Sequence, residues 1–146
     1  MLGRKNYTRE EFHGARTAID RQLEAYRQLE AAVDATGDAD ARSALEDFEP
    51  IFCNSMALAL DRYFVHRVRL VTGNDGNPLN EVELLGESLI GNDGVLLSSK
   101  VIKLVPEESV TKLHAGDRIA LTAAEFEQLA TAFFAELERR FVAVPA

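Results

Sequence analysis

The sequence holds a single cysteine, Cys53, so an intramolecular disulfide is impossible and a cysteine-rich zinc site is excluded. Long apolar runs are missing as well. The greasiest stretch, Met56 to Leu60, is bounded by Asn54 and Asp61 and falls far short of the ~18 residues a membrane span needs. No apolar segment follows the charged start MLGRKNYTREEF, so no signal peptide is expected and the expected compartment is the cytoplasm. Basic residues are scarce, 16 against 24 acidic ones. The formal charge of −8 and a pI near 4.9 repel phosphate backbones, which makes nucleic acid a poor partner. Nucleophile elbow, phosphate loop and dinucleotide fingerprint are all absent. Asp75-Gly76-Asn77-Pro78 lacks the alternating acids and distal Glu of a calcium loop. No catalytic residue, cofactor or metal is therefore assigned, and whether the chain is an enzyme stays open.

What is present describes one domain, residues 1–146, with 47% hydrophobic residues, enough for a real core. Thr8 and Glu11 form a capping box ahead of a helix over 9–35, whose apolar stripe is Phe12, Ala15, Ile19, Leu23, Tyr26 and Val33, with Leu29 at its margin. Gly37-Asp38 ends it. A second helical pattern runs from about Ala41 to Val71, with a kink or restart expected near Phe48–Pro50. The stretch Pro50 to Gly73 is apolar on most sides, which marks it as the central element of the fold. Cys53, Ala57, Leu60, Phe64, Val68 and Val71 make one stripe on it, and Phe52, Met56, Ala59 and Tyr63 a second beside it. Cys53 is thus read as a small buried hydrophobe rather than a reactive thiol.

After the turn residues Gly73 to Pro78, Asn80 and Glu83 suggest a cap opening a short helix through about Ile90. Residues 95–121 change character. Val101–Val105 and Arg118–Leu121 read as short strands; Pro106–His114 fits either one or two helical turns or a hairpin onto 118–121, and the hairpin is preferred. Thr122 and Glu125 then cap a last helix with Phe126, Leu129, Ala130, Phe133, Leu137 and Phe141 on one face. The predicted fold class is mainly α (α+β): an antiparallel bundle of about four helices with a small β-hairpin or short sheet, about 95–121, inserted before the last helix.

The segments LDRYFVHRVRLVTGNDGNPLNEVELL, GDRIALTAAEF and FFAELERRF together resemble a family of uncharacterised actinobacterial proteins, with Asp61-Arg-Tyr-Phe-Val-His-Arg67 the most specific part. The likeness extends over nearly the whole chain and implies no catalytic residue. Leu121 to Phe126 also resembles the strand-to-helix step of winged-helix regulators, a likeness that a strand followed by a capping box produces for local reasons.

Two readings of function follow. The leading one is a non-enzymatic helical protein that self-associates, expected as a homodimer, because the apolar stripes, the doubled one of Phe52–Val71 included, outnumber the helices available to cover them. The alternative is a small-molecule or anion-binding domain, an enzyme or metal-binding bundle included. It centres on Arg62, His66 and Arg69, which share one side of a helix, together with Asp61, Asn74 and Asp75. The cations can equally pair with Glu81, Glu83 and Glu87 of the next helix. For metal, Glu10-x-x-His13 occurs once and no His-x-x-x-His is present, so no metal ligands are named. Asp61 is expected to meet a basic partner from another helix, with Arg16, Arg21, Arg139 and Arg140 in reach.

Overall fold

The computed structural model describes residues 7–63 and 73–142. Over these residues the chain forms four helices: α1 (Arg9–Thr36), α2 (Ala39–Arg62), α3 (Pro78–Gly91) and α4 (Ala123–Phe141). α1 begins at the expected capping box, with the Thr8 hydroxyl and Glu11 amide 3.1 Å apart and the Glu11 carboxylate returning to the Thr8 amide. It ends at Gly37, whose left-handed φ of 67° lets the cap amide bond the Asp34 carbonyl. Asp38 immediately caps α2 by accepting from the amides of Asp40 and Ala41. Two residues thus reverse the chain, and α1 and α2 lie side by side.

α2 packs against all three other helices, most extensively α3, as expected of the element at the centre of the fold. It continues as one helix through Pro50 without restarting. The described part of the first stripe, Cys53, Ala57 and Leu60, is buried, and in the second Met56 is buried while Phe52, Ala59 and Tyr63 are half-buried against the core. The remainder of the predicted helix, 64–72, lies outside the described residues. α4 starts at the Thr122–Glu125 capping box and buries every residue of its predicted face. No helix among the described residues is long and apolar enough to cross a membrane.

Two expectations need correction. α3 opens at Asn77, not Asn80: the Asn77 side chain accepts from the amides of Leu79 and Asn80, and Pro78 fills the first position, where a missing N–H costs nothing. Asn80 and Glu83 are buried inside the helix instead. The β-hairpin is also not formed, and the described residues contain no sheet. Pro106–Glu108 is a single 3-10 turn, and an isolated antiparallel bridge joins Val95 to Arg118. Residues 118–121 carry one bridge, at Arg118, and their partners are the 94–96 segment on one side and a side chain on the other. Ile119 N–H donates to Gly94. The Asn54 amide of α2 donates to the Ile119 carbonyl at 2.9 Å and accepts from Leu121 N–H at 3.1 Å, standing in for a neighbouring strand.

Asn54 therefore satisfies two backbone groups that are otherwise stranded in the core. Replacing it with Leu is expected to cost about 2–4 kcal/mol, because both Ile119 O and Leu121 N–H lose their partner. Urea unfolding monitored by circular dichroism gives the figure; a loss under 0.5 kcal/mol, on the order of a neutral surface change, contradicts the assignment.

Candidate functional site

The predicted site residues fall on two structural levels. Asp61 is the penultimate residue of α2 and is half-buried. Its carboxylate lies against Gly86 of α3, so close that a β-carbon there would sit 3.3 Å from Oδ2. Gly86 is thus the residue that admits the carboxylate to the α2–α3 seam. None of the described ion pairs joins Asp61 to the arginines expected to meet it: Arg16 pairs with Asp20, and both Arg139 and Arg140 pair with Glu136. Arg62, the last residue of α2, is exposed. His66 and Arg69 lie outside the described residues, so the predicted cationic grouping is described only at Arg62.

Asn74 and Asp75 are exposed in the loop leading to α3, where their groups serve the turn. The Asn74 carbonyl accepts from Lys103 N–H at 2.7 Å, the Asp75 carboxylate from the Asn77 amide at 2.7 Å, and the Asp75 carbonyl from the Asn80 amide at 2.9 Å. Asp61 meets α3 at residue 86 and Asp75 meets it at residue 80, roughly 9 Å apart along the axis. The described members of the set do not converge.

Polar chemistry gathers instead along α3, the most thoroughly buried helix, where Asn80, Glu81, Glu83 and Ser88 all lie inside. Glu81 is 1% exposed and its carboxylate accepts three hydrogen bonds, from Val110 N–H at 2.9 Å, Thr111 N–H at 3.0 Å and the Thr111 hydroxyl at 2.7 Å. Such a charge stays buried only because its lone pairs are used. Ser88 donates to Leu84 O and accepts from Leu97 N–H, fastening the other end of the same segment. The loop that receives Glu81 is itself tightly wound: the Ser109 hydroxyl donates to Pro106 O and accepts from Lys112 N–H, and Lys112 adopts a left-handed φ of 60°. The sequence presents Glu81 only as one of several acids able to pair with the cations of 62–69. No local signal marks it for burial, because its three donors lie 29 and 30 residues further along the chain.

One concavity adjoins these groups and another lies elsewhere in the bundle. The first, of about 140 Å³, lies under the segment after α3, walled by Leu84, Leu96, Ile102 and Leu113, with Ser98 and Ser99 among its polar groups. The second, of about 240 Å³, lies among Tyr7, Phe12, Tyr63 and Leu137, with Glu11 as its charged residue. Neither is lined by Asp61, Arg62, Asn74 or Asp75. Among the described residues no group of three or more His, Cys, Asp and Glu side chains is placed to hold a metal ion. His13 and His114 are both exposed. Cys53 is fully buried, and burial first, with the Glu49 charge adding, pushes its thiol up to about 11. Burial and the carboxylates of Glu49 and Glu30 raise Tyr26 to about 12.

No family model, curated protein or solved structure matches the chain.

Removing the Glu81 carboxylate leaves two backbone amides and a hydroxyl unpartnered, so Glu81→Ala is expected to destabilise the fold by roughly 3–5 kcal/mol. Hydrogen exchange at Val110 and Thr111 then rises with it; protection retained there would show that the clasp is not made by Glu81. Alkali supplies a separate test. Because Cys53 and Tyr26 hold their protons more tightly when folded, their contribution is complete below their ordinary values of 9.0 and 10.0. It is lost as the pH rises through about 11 and about 12. The urea midpoint is expected to fall across that window, and native Cys53 to resist alkylation at about pH 8, where the unfolded thiol is beginning to ionise. Equal alkylation of native and unfolded protein contradicts the burial.

Proposed function

We propose that the protein is a soluble, cytoplasmic helical domain that acts by protein–protein contact and self-associates as a homodimer, with neither nucleic acid nor membrane as a partner. The observation that supports this reading is an apolar surface on the α1–α2 hairpin. Phe48 is 42% exposed, Ile51 64% and Leu29 46%. Scattered apolar residues are ordinary on any surface, whereas neighbouring ones call for a partner. Phe48 and Ile51 are one turn apart on α2. A stack of rings, Phe48 on Phe52 and Phe52 on Tyr26, carries the surface across to α1, where Leu29 stands one turn beyond Tyr26. This support differs from the sequence argument. The described part of the first stripe lies inside the bundle and most of the second is half-buried against it, and the apolar surface in question lies beside Phe52 on a further side of α2.

The charge of −8 works against a polyanion as partner, and between two copies it is a repulsion that the apolar contact has to offset. Sedimentation equilibrium over about 1–300 µM chain is the test. The expected result is a mass that climbs above 16.1 kDa with concentration. A constant monomer mass across that range overturns the proposal, since a contact too weak to form there falls below the smallest specific interfaces.

A further inference from the structure

We propose that the outer face of α2 is a twofold-symmetric antiparallel interface in which α2 packs along α2 of a second copy, centred on Ile51. This rests on the self-association reading and specifies its partner surface.

Asp40, Ala44, Asp47, Ile51, Ser55, Leu58 and Arg62 follow one another at intervals of four, three, four, four, three and four residues. At 100° per residue all seven fall within about 40° of one line along the helix. Leu58 is half-buried and the other six are exposed. The eleven-residue steps from Asp40 to Ile51 and from Ile51 to Arg62 keep this line nearly parallel to the helix axis, so it can lie along a partner for its full length.

The intervals read the same in both directions from Ile51. A twofold axis through Ile51 therefore sets each residue opposite another member of the series on the partner chain. Asp40 meets the partner's Arg62, Ala44 the partner's Leu58, and Asp47 the partner's Ser55. Opposite charges pair at the two ends, a small residue faces a large one, and an acceptor faces a hydroxyl. Ile51 meets its own copy at the axis, and Phe48 borders the line on the α1 side. Self-complementarity of this kind is what an isologous interface requires.

The end charges carry an independent indication. The chain has an excess of acids, and most described arginines take a carboxylate from it. Arg9 pairs with Glu138, Arg27 with Glu127, Arg42 with Asp34 and Arg118 with Asp93. Arg16, Arg139 and Arg140 are likewise paired. Among the described arginines only Arg21 and Arg62 have no carboxylate within 4.0 Å. Arg62 ends the exposed line, and Asp40, which begins it, has no ion pair among the described residues either. The series thus offers one acid and one base, each uncommitted, at the two places where a twofold brings them together.

The apolar part of the line is short, so the dimer is a weak one that forms at micromolar or higher concentration and loosens in salt. All test positions are exposed, and circular dichroism is expected to leave each variant indistinguishable from the parent. Sedimentation equilibrium then separates the outcomes. Ile51→Glu brings two carboxylates face to face and is expected to weaken the dimer about tenfold or more. Asp40→Arg and Arg62→Asp are each expected to weaken it about fivefold, and the two together to restore it. Ile51→Cys is expected to form a covalent dimer under mild oxidation, with buried Cys53 not competing. A dimer that persists unchanged in Ile51→Glu, or a double reversal that fails to restore it, overturns this interface while leaving self-association through another face intact. A monomer at every concentration overturns both.

Discussion

Buried backbone must be hydrogen-bonded, and between α3 and α4 that demand is met by a few bonds within the segment and by side chains from the helices beneath. The thirty residues from Asn92 to Leu121 have no sheet and, apart from the turn at Pro106–Glu108, no helix to satisfy them. Glu81 and Ser88 of α3 hold the two flanks of the segment, and Asn54 of α2 holds its exit. Glu49, also on α2, accepts from Ala123 N–H at 2.7 Å and so caps α4 alongside Thr122. Each bond crosses from a regular element to an irregular one. The irregular segment also ties its own two ends together, through Leu96 N–H to Asp117 O, Gly116 N–H to Leu96 O and Ile119 N–H to Gly94 O, and the side chains of α2 and α3 anchor that loop to the bundle.

The same constraint explains why α3 carries so much polarity in so buried a place. A helix walled in by α2, α4 and a loop has little solvent to offer its side chains. An unbonded carboxylate there costs several kcal/mol, so Glu81 is tolerable only with its three donors in place. Gly86 contributes by absence. Its missing side chain makes room for the Asp61 carboxylate, which a larger residue would press outward.

Local chemistry made much of this legible in the sequence. The capping boxes at Thr8 and Thr122 involve residues three apart and needed no tertiary information, and both helices begin where those boxes place them. The helical faces of α1 and α4 follow from periodicity alone. Asn77 against Asn80 was also a local question, and Pro78 decides it, since proline fits the first position of a helix and disfavours a helical residue before it. The hairpin was different. Residues 118–121 form one bridge and no strand, because a strand pattern does not say what pairs with it, and here part of the pairing comes from an asparagine sixty-five residues earlier. The candidate site failed to converge for a related reason. Asn74 and Asp75 are used by their own turn, while the placement of Asp61 depends on a glycine in another helix.

α2 concentrates these lessons. Its composition suggests burial on every side, and three of its sides are indeed covered by α1, α3 and α4. On the covered sides the described polar residues hold the bundle together. Arg42 binds Asp34 across to α1, Glu49 caps α4, Asn54 pairs with 119–121, and Asp61 fits against Gly86. On the uncovered side Asp40, Asp47, Ser55 and Arg62 make no such link to another helix in the described residues, yet they share that side with Ile51 and Phe48. One exposed isoleucine is ordinary, and what sets Ile51 apart is that Phe48 stands one turn away on the same uncovered side. The hydrophobicity that marks α2 as central therefore has two origins. Most of it belongs to the bundle, and what remains lies on the one side that the bundle does not use.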